Sequence, residues 1–119
     1  MSPLLMLAIT DATPFVDERG WTLPAPATIA EAERLLELVA PLARAPLAEV
    51  EPDGSIVLEW EAAGHGWLRL AVAGIGRLAH SAVIAGDEYE QIEDFPADAA
   101  TPLPDWAAEL LRRLMSVGH

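Results

Sequence analysis

The chain has 119 residues, 52% of them hydrophobic and none of them cysteine, with 7 basic against 19 acidic side chains and a formal charge of −12. That length suits one domain with a core of its own, and the lack of cysteine excludes disulfides, thiolate catalysis and cysteine–metal sites. The charge argues against direct contact with nucleic acid or an anionic membrane, whose phosphates it would repel, and leaves a basic protein or a nucleoprotein complex as the fitting partner.

Residues 1–27 read as an irregular lead-in. Leu4, Leu5, Met6, Leu7 and Ile9 form an apolar run far too short to span a membrane. It suits a short buried strand or one turn of helix, and so short a run does not separate the two. No basic residue precedes it and Asp11 follows at once, which argues against a secretory signal; with the missing cysteines this favours the cytoplasm. Phe15, Val16 and Trp21 are expected to cap an edge of the core, and the prolines of 23–27 predict an extended approach. A helix is predicted over 28–40, with Thr28 as N-cap and Glu31 completing a capping box. Ile29, Ala32, Leu35, Leu36 and Val39 share its apolar face, Glu31, Glu33, Arg34 and Glu37 take the solvent side, and Pro41 ends it. A proline-punctuated return occupies 41–51.

Residues 55–95 read as a sheet. Pro52-Asp53-Gly54 is a turn, followed by an alternating strand over 55–61 with Ile56, Leu58 and Trp60 on one face. Gly64-His65-Gly66 turns the chain into a strand over 67–72, with Leu68, Leu70 and Val72 inward and Trp67 and Arg69 outward. Gly74-Ile75-Gly76 turns it again into a strand over 77–85, where both phases are apolar and the inward one stays open. After Gly86-Asp87, residues 89–95 suit either a fourth strand or an ordered acidic loop. A helix is predicted over 104–116, with Asp105 and Glu109 at its positive end, Arg112 and Arg113 at its negative end, and Gly118 as its stop. Its stripe is Leu103, Trp106, Leu110 and Leu114. The expected fold is α+β: a three- to four-stranded antiparallel meander packed against two helices, in the order α-β-β-β-(β)-α, forming a single domain over 1–119.

No pattern for catalysis, cofactor or metal stands out. His80 lies in an apolar strand with no Asp, Glu or Cys close in sequence, His65 sits in a turn, His119 is terminal, and no zinc-type spacing links them. No serine has a G-x-S-x-G context. Gly74-Ile75-Gly76 lacks the third glycine and the following helix of a dinucleotide site, so it reads as a hairpin turn. Asp87, Glu88, Glu90, Glu93, Asp94 and Asp98 crowd one stretch with no cation between Arg77 and Arg112, but without an EF-hand pattern. On a strand, alternate carboxylates would stand ~6.8 Å apart on one side, a row suited to the Arg and Lys of a basic partner. Beside them, Trp67 and Arg69 form an interface-type pair if they are exposed, or else pack against the N-terminal segment.

The run Pro52-Asp53-Gly54-Ser55-Ile56-Val57-Leu58-Glu59-Trp60, with the preceding Ala- and Leu-rich helix and the later Leu103-Pro104, resembles small uncharacterised bacterial proteins that share a P-D-G-x-I-x-L-E-W strand. Trp21-Thr22-Leu23 departs from the W-D-G of that pattern. The resemblance implies the α-β-β-β-α order and an accessory gene of bacteria or mobile elements, and brings no catalytic residue with it. The leading expectation is a non-enzymatic acidic protein-binding module acting as an inhibitor, antitoxin, immunity or phage-type anti-defence protein. Its contact residues would be Asp87, Glu88, Glu90, Glu93, Asp94, Trp67 and Arg69. The alternatives are a small metal-independent hydrolase or ligand-binding domain using His80 with a distant carboxylate, and a homodimeric assembly subunit joined through a free strand edge.

Overall fold

The computed structural model describes residues 1–96, 98 and 100–117; the predicted stop at Gly118 lies outside them. In chain order the elements are α1 (Pro3–Ala12), α2 (Pro14–Arg19), α3 (Pro26–Val39), β1 (Leu47–Val50), β2 (Ile56–Ala62), β3 (Gly66–Val72), β4 (Arg77–Ile84), β5 (Asp87–Asp94) and α4 (Asp105–Val117). The expected α+β class holds, but the sheet has five strands rather than three or four, and helices occupy most of the lead-in.

The lead-in is helical because its ends are capped. The Ser2 side chain accepts a hydrogen bond from the Leu4 N–H at 3.2 Å, and Pro3 fills the first helical position, where no N–H is needed. Leu5, Ala8 and Ala12 then fall on one buried face at helical spacing. Gly20 closes α2 in the left-handed conformation, φ 71°. The third helix starts earlier than the sequence pattern predicts. Pro26 takes its first position, so Thr28 is not the cap and Glu31 is not part of a capping box. Glu31 is also not on the solvent side; it is 3% exposed. Its carboxylate reaches the β3–β4 turn and accepts from the Gly74 N–H at 2.9 Å and the Gly76 N–H at 2.8 Å.

All five strands are antiparallel neighbours in chain order. The first was missed in the proline-punctuated return because four residues after Pro46 are too few to display alternation. It pairs with β2, Glu49 facing Val57. Residues 87–94 form a full edge strand, which decides between strand and loop. On one face, Ile56, Leu58, Trp60, Leu68, Leu70 and Val72 are buried against Leu35 and Val39 of α3 and Leu110, Leu111 and Leu114 of α4. The phase of β4 left open by the sequence is Leu78, His80, Ala82 and Ile84 inward. Trp60 is 1% exposed and donates from Nε1 to the Arg44 carbonyl at 2.7 Å. Trp106 is only half-buried: its ring stands edge-on to Tyr89 at 5.7 Å, with the Arg113 guanidinium 5.3 Å from its centre. Among the described residues, no helix is long and apolar enough to cross a membrane.

Candidate functional site: the open face of the sheet

Side chains alternate across a strand, so every residue buried under the helices places its neighbours on the opposite face. The cross-strand registers set these out in rows. Glu61, Trp67, Val83 and Glu88 form one; Glu59, Arg69, Ser81 and Glu90 form the next; Val57, Ala71, Ala79 and Ile92 form a third. Helices α1, α3 and α4 pack on the other side, and among the described residues no helix covers this face across β3, β4 and β5. Ile92 is 62% exposed and Ile75, in the β3–β4 turn, 73%.

The floor is low in the middle because Ala71, Ala79 and Ser81 are small. A depression of about 260 Å³ lies over Val57, Ala71 and Ala79, between Arg69 and Glu90. It shares Ser55, Ala71, Ala79 and Ile92 with a second depression of about 570 Å³ that reaches Ile75 and Arg77. A third, of about 250 Å³, lies beside Trp67, Val83, Glu88 and Glu90. Together they make one trough along the two central strands.

Arg69 and Arg77 of this face are already engaged. Arg69 leans toward β2, 3.0 Å from Glu51 and 3.8 Å from Glu59, and Arg77 meets Asp94 at 3.3 Å. Among the described residues no cation stands within ion-pairing distance of Glu88 or Glu90. At the neighbouring turn, Asp53 Oδ1 accepts from the Ser55 hydroxyl at 2.6 Å and the Ser55 N–H at 2.9 Å. Those hydrogen bonds, the hydroxyl's foremost, hold the Asp53 carboxyl below its ordinary value.

Five of the seven predicted contact residues, Trp67, Arg69, Glu88, Glu90 and Asp94, share this face. Trp67 takes the outward phase, between Glu61 and Val83. Strand alternation removes the other two. Asp87 lies across from Ile84 at the start of β5, and Glu93 turns toward the helices. There Glu93 Oε2 lies 3.1 Å from Nε2 of His80, whose side chain is 0% exposed. His80 therefore does have a carboxylate partner, supplied by the neighbouring strand rather than by sequence proximity. Its Nδ1 is buried and, among the described residues, makes no hydrogen bond. The His80 side chain is buried, while Glu93 stays partly exposed. Among the described residues, no three side chains of His, Asp or Glu converge as a metal-binding group.

Sequence reasoning passed over the apolar part of the face, Val57, Ala71, Ala79 and Ile92. The available signal was the outward phase of β2 and β3, in which small and apolar residues interrupt the charged ones. No family model, curated protein or solved structure matches the chain. The arrangement offers a broad recessed surface with an apolar floor and an acidic rim, suited to binding an extended body rather than to enclosing a small molecule.

Proposed function

We propose that the protein is a non-enzymatic binding module that engages a basic protein, or a basic surface of a nucleoprotein complex, through the open face of its sheet, and acts as an inhibitor, antitoxin, immunity or anti-defence factor. The observation that carries this reading is the one-sided coverage of the sheet. A five-stranded sheet normally needs a cover only on the face that is apolar throughout, and polar residues then fill the other. Here the face without helices keeps an apolar row of Val57, Ala71, Ala79 and Ile92, buried at Val57, half-buried at the two alanines and exposed at Ile92, with a half-buried tryptophan at one end. A partly exposed tryptophan and an exposed isoleucine rimmed by charge are the composition of an interface. The rim carboxylates Glu88 and Glu90 lack cationic partners among the described residues, which supports a partner of the opposite charge.

The test is recovery of the tagged protein from lysate of its native host at low and high salt. One basic protein, or one nucleoprotein, retained at low salt and released at high salt supports the reading and identifies the target. Retention of nothing at either salt overturns it.

A further inference from the structure

We infer that the segment received by the trough is a basic amphipathic α-helix of the partner, lying along β3 and β4. This rests on the reading of the open face as a protein-binding surface and adds the shape of what binds there. The dimensions decide between helix and strand. The walls stand over β2, where Arg69 leans, and over β5, three strand spacings or roughly 14 Å apart. A helix with its side chains measures about 10–12 Å across and fills that width. An extended segment would leave much of the floor wet. Along the strands, the face from Trp67 to Ala73 covers six residue steps, roughly 20 Å, the length of a helix of about 14 residues.

Backbone chemistry points the same way. The central strands β3 and β4 are each paired on both sides. Their N–H and C=O groups are spent, so an extended segment lying on this face would find no main-chain partners. A helix brings its backbone already satisfied and needs only side-chain contacts. The small side chains of Ala71, Ala79 and Ser81 permit its close approach, and the exposed Ile92 supplies apolar contact beside them. Glu88 and Glu90, on the β5 wall, then face its flank and select Lys or Arg there. The partner helix should therefore carry an apolar stripe at i, i+3, i+4 spacing, flanked on one side by cations.

The experiment uses the whole protein in host cells, with a photoreactive benzoylphenylalanine replacing Ile92 on the trough wall or, as a control, Leu7 on the exposed side of α1. The crosslinked segment is mapped and synthesised, and that peptide is the probe. The inference predicts capture from position 92 and not from position 7, a Lys- or Arg-rich segment, and a peptide that gains helical circular dichroism on binding. It also predicts that Ala79→Arg, and separately Glu88→Arg with Glu90→Arg, weaken the peptide about tenfold or more. The charge pair is on exposed positions, so it remains informative if Ala79→Arg fails to fold. Capture of a salt-released basic partner from position 7 alone would overturn the trough while leaving the basic-partner reading intact. A captured peptide that binds without gaining helix, or that tolerates both variants, would overturn the helix and indicate addition to the β5 edge. Failure to retain any basic partner would overturn both readings.

Discussion

Glu31 shows how much one buried side chain holds at the residue scale. Its two carboxylate oxygens each accept one backbone N–H of the β3–β4 turn, Gly74 on one and Gly76 on the other. Hydrogen bonds to a buried charged group are individually strong, and losing their acceptor strands both donors, so Glu31→Ala should cost about 2–4 kcal/mol in urea unfolding. Glu31→Gln should cost nearly as much. Its amide keeps one acceptor oxygen but turns an NH₂ donor toward the second N–H. A Gln variant as stable as the parent would mean that the turn is held by other contacts. Asp53 makes the opposite case, an exposed carboxylate whose effect is visible through pH. Its bonds with Ser55 hold its folded value below the unfolded one. The contribution is therefore complete above the unfolded value, about 3.9, and disappears as pH falls through the lower folded value. The urea midpoints of the parent and Asp53→Asn should differ at pH 7 and converge in strong acid; a gap that widens on acidification would contradict the assignment.

At the scale of elements, the β2–β3 hairpin depends on a missing side chain. A Cβ on Gly66 would lie 1.8 Å from the Val83 carbonyl oxygen in the neighbouring strand. Nothing lies within 4 Å of the corresponding point on Gly64. Gly66→Ala should therefore unfold the protein or cost more than about 3 kcal/mol through displacement of β4. Gly64→Ala should cost about 1 kcal/mol, for the backbone conformation alone. Calorimetry of the two variants separates them; equal losses would refute the close approach. These hairpins were legible because glycine pairs and alternating leucines mark both turns and strands. The helices α3 and α4 were legible from their apolar stripes. The first strand was not, since Leu47–Val50 is too short to show a period, nor was α1, whose mostly apolar residues hide the helical spacing of Leu5, Ala8 and Ala12. The candidate face was half legible. Its charges and Trp67 announce themselves, but the Ala71–Ala79 floor acquires meaning only from the pairing of β3 with β4. The His80–Glu93 contact has the same origin, joining residues of different strands that no local motif connects.

For the whole molecule, the open face and the free edge of β5 raise the question of why copies of the chain would not cover each other. Charge supplies the answer. Two β5 edges in antiparallel contact would bring Asp87, Glu88, Glu90, Glu93 and Asp94 of one copy against the same residues of the next. Two open faces would oppose their Glu88 and Glu90 rims. With a formal charge of −12 on 119 residues, each approach is repulsive before any contact forms. A basic partner reverses the sign of that term. The same field that keeps copies apart speeds its arrival, and salt screens both effects over a distance of about 8 Å at physiological strength. Sedimentation equilibrium should accordingly find a monomer at neutral pH in moderate salt. Self-association should appear as the pH falls toward the sequence isoelectric point of about 4.4, where the carboxylates begin to protonate and the repulsion fades. Glu88→Gln with Glu90→Gln should move that onset toward neutrality. A dimer at neutral pH that is indifferent to salt and unaffected by this pair would show that the molecule covers its own open face, and the basic partner would then have to bind elsewhere.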